Sequence, residues 1–248
     1  MTFEIVTYAN KSQGMFEDLV NNEFDIPVTV LGWGTKWNGF SDKYKGMSKH
    51  LETKSDDDIV IFLDGFDTKI NKNPSDVVEL FKKFDCKVLV SRDPDPFRAA
   101  PLVFGKCGGK YTANSGLYMG YAKEVKSIID EALTQKCEDD QTNLNTICQT
   151  SDYVKVDEEE VIFKNFGPLG DQSDTNAIFV SYPGSPSVGR YSRAIVEYTQ
   201  FLYLYILCLL ILGLALFPQR QKVLLPTLVL FTTFYAFVAD KSCTLHSG

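Results

Sequence analysis

"IVIFLDGFDTKI", Ile59 to Ile70, decides the fold. Its first five residues are apolar throughout, with no polar face, as a central parallel strand covered on both sides should be. The run ends abruptly in an acidic tetrapeptide, Asp64-Gly65-Phe66-Asp67. In open α/β sheets, ligands bind beyond the carboxyl ends of the strands, so two carboxylates at such an end mark a candidate site. Aspartate is also common in turns and caps, and that plainer role competes at each position singly.

The surrounding sequence alternates strand-like and helix-like segments. "FEIVTY" and "PVTVLGW" read as strands, with "SQGMFEDLVNN" between them carrying Met15, Phe16, Leu19 and Val20 at helical spacing. "SDKYKGMSKHLETK" reads as a helix capped by Ser41, "SDVVELFKKF" as one capped by Ser75, and "KVLVS" as a further strand. Such βα units predict an α/β fold with a mostly parallel sheet over residues 1–195. There is no internal repeat and no low-complexity tract.

The last fifty residues are a different material. Phe201 to Phe217 and Val223 to Ala239 are uncharged, separated by Pro218-Gln-Arg-Gln-Lys222. Two runs approaching the ~20 residues that cross a bilayer predict a transmembrane helical hairpin over 198–240, with a short tail at 241–248. Tyr198, Tyr203, Tyr205 and Tyr235 fit an interfacial belt. Arg220 and Lys222 prefer the cytoplasm, whereas the N-terminus has no signal-peptide pattern and would keep the front domain there. The two cues oppose each other. The second is given more weight, so the expectation is a membrane-anchored protein with a cytosolic front domain.

The 248 residues carry net charge −7, with Lys and Arg scattered, which argues against a nucleic-acid partner. Six cysteines without a CxxC pair argue against a structural zinc site. A reducing compartment implies free thiols; in an oxidising one Cys86, Cys107, Cys137 and Cys148 could pair.

Two close carboxylates repel unless a cation or proton intervenes. A hard divalent ion, Mg²⁺ or Mn²⁺, accepts both together with phosphate oxygens. As a Lewis acid it would neutralise charge on a departing diphosphate, the chemistry of sugar transfer from a nucleotide sugar. A phosphatase with an Asp-x-Asp-x-Thr loop is the alternative, but "LDGFDT" has one residue too many for it. "TANSGLYMGYA" (Thr112 to Ala122) places small residues where a backbone can approach a ligand, or forms a tight turn before a strand. "CEDDQTNLNTI" (Cys137 to Ile147) starts a helix with acids, which serve either its dipole and cap or a ligand.

The ordered set "TVLGWGTKWNGFSDKYKG", "DIVIFLDGFDTKI", "TANSGLYMGYA", "DDQ", "VIFKNF" and "IFVSYPGSPS" resembles the glycosyltransferase domain of procollagen lysyl hydroxylases, a group with viral and microbial relatives. The resemblance covers most of residues 3–190, without the hydroxylase domain. It implies a GT-A-like fold using a UDP-sugar and Mn²⁺ or Mg²⁺. Asp64 and Asp67 match the metal motif, and Phe66 stands where the family stacks an aromatic on uracil. Thr7 matches a uridine-contacting position. Trp37 and Lys43 match the loop after the second strand, with Lys43 neutralising phosphate. Asn114 and Ser115 match the Asn-Ser-Gly segment, and Asp139, Asp140 and Gln141 the segment near the transferred sugar. The implied reaction moves glucose or galactose to a protein or glycan hydroxyl, such as hydroxylysine in a collagen-like chain. The family closes its metal shell with a histidine where this chain has Ser181, so a decayed nucleotide-sugar-binding or membrane interaction module is the rival reading.

Overall fold

The structure is a computed structural model and describes residues 3–95, 100–137, 139–167, 175–183, 203 and 205–238. The expected domain end at 195, the hairpin residues 198–202, 204, 239 and 240, and the tail 241–248 lie outside the described residues.

Six strands form the main sheet: β1 (Phe3–Tyr8), β2 (Val28–Leu31), β3 (Ile59–Leu63), β5 (Val88–Arg92), β6 (Ala113–Tyr121) and β7 (Val154–Asp157). Their order is β2-β1-β3-β6-β5-β7. β1 runs parallel to β2 and β3, and β5 parallel to β7, while β6 runs antiparallel to both its neighbours. A mostly parallel mixed sheet of this kind fits the expected GT-A-like architecture. The one reversed strand has a functional consequence. It brings the start of β6, Ala113 to Ser115, to the edge where β1, β2, β3 and β5 end. The Asn-Ser-Gly segment is therefore part of a strand, not a turn before one.

All five residues of β3 are buried. Pleating sends Ile59, Ile61 and Leu63 to one face and Val60 and Phe62 to the other. On the first face they meet Leu19, Val77, Phe81 and Phe179, drawn from α1 (Phe16–Val20), α3 (Val77–Lys82) and the smaller sheet. On the second they meet Met47, Leu51, Ile128, Ile129 and Leu144, from α2 (Ser41–Leu51), α5 (Ala122–Thr134) and α6 (Asp140–Cys148). Each such side chain contributes roughly 1.5–3 kcal/mol by leaving water. A short α4 (Ala100–Val103) follows β5.

A second sheet joins β4 (Thr68–Ile70), β9 (Phe179–Ser181) and β8 (Phe163–Asn165), in that order. β4 leaves β3 directly through the acidic turn and pairs antiparallel with β9, placing Thr68 opposite Ser181.

Three local expectations are corrected. Ser41 is the first residue of α2 rather than its cap; the cap is Phe40, and Asp42 instead accepts the Asn38 backbone N–H at 2.8 Å. Ser75 does not cap α3, which follows Asp76. The cysteines are not all free: Cys107 and Cys148 form a disulfide with Cα atoms 4.6 Å apart, and Cys137 is also disulfide-bonded.

The tail contains α7 (Tyr205–Leu216) and α8 (Gln221–Val238), joined by a 3₁₀ turn at Pro218–Arg220. Among the described residues no single helix is long and apolar enough to cross a membrane. The pair Tyr205–Leu216 and Pro218–Thr233 passes on length and composition together, bent by 111°. Tyr203 stacks on Phe231 at 5.5 Å, and Gly213 faces Leu224.

Candidate active site

The acidic turn is built by close packing. A Cβ on Gly65 would sit 2.9 Å from Thr7 Oγ1 and 3.0 Å from the Tyr8 carbonyl, so only glycine lets the turn press onto the end of β1. A Cβ on Gly14 would meet the Phe66 carbonyl at 2.1 Å, and its φ of +58° suits glycine as well. The Phe66 carbonyl accepts the Met15 N–H at 2.9 Å. The turn is thus held from both sides, with Asp64 anchored by its N–H to the Gly116 carbonyl at 2.8 Å.

Lys43, projecting from α2, reaches over this edge. Its Nζ lies 2.6 Å from Asp140 Oδ2 and 3.4 Å from Asp64 Oδ2. Lys43 and Asp140 are nearly inaccessible, while the Asp64 side chain keeps 27% of its surface. Asp140 begins α6, and its carbonyl accepts the Tyr44 hydroxyl at 2.9 Å. Burial, aided by the Asp140 charge, pushes the Tyr44 and Tyr118 hydroxyls well above the usual phenol range, so both stay protonated.

A second chain of contacts runs alongside. The Gly116 N–H donates to Asn114 Oδ1 at 2.9 Å, Asn114 Nδ2 to Gln141 Oε1 at 3.1 Å, and Gln141 Nε2 to Asp93 Oδ2 at 2.8 Å. Because it starts at a backbone donor and ends at a carboxylate, the relay fixes the orientation of both amides. Burial raises the Asp93 carboxyl to about 6, against hydrogen bonds that lower it. α6 is tied to β6 by Asn145, which accepts the Ala113 N–H at 2.8 Å and donates to the Ala113 and Gln141 carbonyls, both at 2.9 Å.

Tertiary structure therefore gathers Lys43, Asp64, Asn114, Asp140 and Gln141 from α2, β3, β6 and α6. Ser115 is buried next to Asn114. Asp67 stands at the start of β4, where its Oδ1 accepts the Ser181 hydroxyl at 3.1 Å and its carbonyl the Tyr182 N–H at 2.8 Å. Trp37 is 38% exposed on the rim, tilted against Tyr8 and edge-on to Phe40, whose ring takes the Lys43 ammonium at 5.4 Å. Phe66 is half-buried in the turn.

Two expected residues have other work. Thr7 has no exposed surface and donates its hydroxyl to the Leu63 carbonyl at 2.7 Å, propping the turn from beneath. Asp139 caps α6, accepting the Thr142 N–H at 2.7 Å. Asp93 is not among the residues the sequence motifs mark. Its signal is in the chain: "KVLVSRD" is an apolar strand ending in an acid, like "IVIFLD".

Among the described residues no three His, Cys, Asp or Glu side chains converge as a metal cage. The turn carries two hard carboxylate oxygen donors, Asp64 and Asp67, paired with Lys43 and Ser181 respectively. Carboxylate oxygens are the donor type that Mg²⁺ or Mn²⁺ takes together with water and phosphate oxygens.

A family model describing the PLOD GT domain matches residues 2–178. Procollagen-lysine,2-oxoglutarate 5-dioxygenase 2 of Homo sapiens is 29% identical over 153 residues, with 55% of this chain and 21% of that protein covered. The multifunctional procollagen lysine hydroxylase and glycosyltransferase of Caenorhabditis elegans is 28% identical over 154 residues, again with 55% of this chain and 21% of the relative covered. Procollagen-lysine,2-oxoglutarate 5-dioxygenase of Drosophila melanogaster is 28% identical over 131 residues, with 47% of this chain and 18% of the relative covered. The match thus spans about a fifth of each relative, in the glycosyltransferase region. With more than half its length matched, this chain belongs to the PLOD GT domain family, a family of glycosyltransferase domains.

Proposed function

We propose that the domain transfers a hexose, glucose or galactose, from a UDP-sugar to a protein or glycan hydroxyl, assisted by Mn²⁺ or Mg²⁺. The observation that carries this reading is the convergence of Asp64, Lys43 and Asp140 at the carboxyl edge of the sheet within a PLOD GT domain. A divalent cation at Asp64 and Asp67 would supply Lewis-acid charge to a departing diphosphate. The Lys43 ammonium provides a second positive charge at the same place, in a partly desolvated site where charge acts strongly. Asp140 and Gln141 offer a carboxylate and an oriented amide to sugar hydroxyls, with Asn114 and Asp93 holding the amide. Phe66 and Trp37 offer aromatic faces to uracil. The Caenorhabditis elegans relative, named as both hydroxylase and glycosyltransferase, supports hydroxylysine of a collagen-like chain as acceptor.

The bent apolar pair of α7 and α8 supports attachment to a membrane. A buried Cys107–Cys148 disulfide is at home in an oxidising compartment. With Arg220 and Lys222 kept on the cytosolic side, a hairpin would hold the front domain on the opposite, oxidising side.

The test is UDP release from a panel of UDP-sugars with Mn²⁺ and with chelator. Metal-dependent release for one donor, lost at least ~100-fold in Asp67→Ala, is expected. A second reading, a binding module without turnover, is favoured by Ser181 bonding Asp67 where the family has histidine. UDP binding without release in the natural chain, and release in Ser181→His, would establish that reading instead.

A further inference from the structure

The geometry points to Lys43 as a built-in counter-ion that must be exchanged when the site is loaded: it pairs with Asp64, and yields that carboxylate to a divalent cation most readily as a diphosphate arrives to take the ammonium. The inference rests on the metal reading above and adds an order and a coupling to it. One ammonium serves two carboxylates, at 2.6 Å to Asp140 Oδ2 and 3.4 Å to Asp64 Oδ2, so neither is fully compensated. The Lys43–Asp140 contact is the shorter of the two and joins side chains that are both nearly inaccessible. The Asp64 side chain is the more open of the two and the one shared with the acidic turn.

A cation bound to Asp64 would meet a like charge at close range while Lys43 stays there. A diphosphate removes that conflict, because it offers the ammonium a new anion and the cation further oxygen ligands. Cation and nucleotide should therefore bind with positive coupling, each tightening the other by the same factor. Lys43 is the residue that enforces it. Lys43→Met removes the competitor and the phosphate partner at once, so it should act in opposite directions on the two ligands. Asp140→Asn leaves the ammonium wholly to Asp64, so it should weaken the cation alone.

The experiment is Mn²⁺ binding to the full chain, followed by electron paramagnetic resonance of free Mn²⁺, with and without UDP. Lys43→Met is expected to bind Mn²⁺ about 10-fold tighter than the natural chain without UDP, and UDP about 10-fold more weakly with Mn²⁺ present, within the usual range of coupling between sites. Asp140→Asn is expected to weaken Mn²⁺ without UDP several-fold. Lys43→Met/Asp140→Asn, which removes both buried charges and so keeps the interior balanced, should bind Mn²⁺ as tightly as Lys43→Met and stands in for it if the single variant does not fold. Equal or weaker Mn²⁺ binding in the lysine variants, with binding still lost in Asp67→Ala, overturns the exchange and leaves the metal reading standing. No Mn²⁺ binding by any form, with or without UDP, overturns both.

Discussion

Gly65 shows how one missing side chain holds the site together. Its Cα packs against Thr7, Tyr8 and Ala9, with Ala9 Cβ 3.1 Å from where a Cβ would stand. Gly65→Ala should push the turn off β1, costing about 1–3 kcal/mol by overpacking and lowering UDP affinity more than the loss of stability explains. Thermal unfolding and UDP titration on the same sample would check it. Asp93 makes a pH prediction. Its carboxyl is raised to about 6, mainly by burial, above the ~3.9 of an unfolded aspartate. A raised carboxyl stabilises the fold fully below its unfolded value, and that contribution is lost as pH climbs through about 6. Asp93→Asn cannot titrate, so its Tm relative to the natural chain should rise between pH 4 and 7. A flat difference across that range would place the Asp93 carboxyl in the ordinary range.

At the level of elements, α6 is the part that must not drift, since its first two residues are Asp140 and Gln141. Asn145 bolts it to β6 one turn further on, and the Cys107–Cys148 disulfide ties its last residue to the segment before β6. Asn145→Ala leaves the Ala113 N–H and carbonyl buried without those partners, at a cost of about 2–3 kcal/mol. It should also release the Gln141 backbone, so that kcat for sugar transfer falls while UDP affinity barely changes. Denaturant unfolding and steady-state kinetics separate the two effects. The short capping contacts matter less for α2, whose start relies on the Asp42 carboxylate reaching back to Asn38.

For the whole molecule, the prediction concerns where it resides. The front domain has an apolar cluster of its own on each face of the main sheet, and among the described residues none after 197 belongs to either. A fragment ending at 197 should therefore be soluble and folded, while the full chain should sediment with membranes and resist alkaline extraction. Trapping thiols in intact cells should leave Cys107 and Cys148 unmodified. Modification of Cys107 and Cys148 would return the domain to a reducing compartment.

Much of this protein was legible along the chain. The unbroken apolar run of β3, the alternation of strand and helix, and the ordered motifs follow from local composition and period, and they carry the α/β class, the family and the acidic turn. The uncharged final segments likewise announce themselves without any tertiary contact. What the chain could not state is which polar groups meet. Lys43, Asp64 and Asp140 are far apart in sequence, and their ion pairs exist only because β6 runs against its neighbours and α2 and α6 cover the same face. The same holds for the Cys107–Cys148 bridge, for Thr7 turning inward as a prop, and for Ser181 arriving beside Asp67 through the second sheet. Side-chain partnership depends on distance in space, and periodicity encodes only which face a residue takes on its own element.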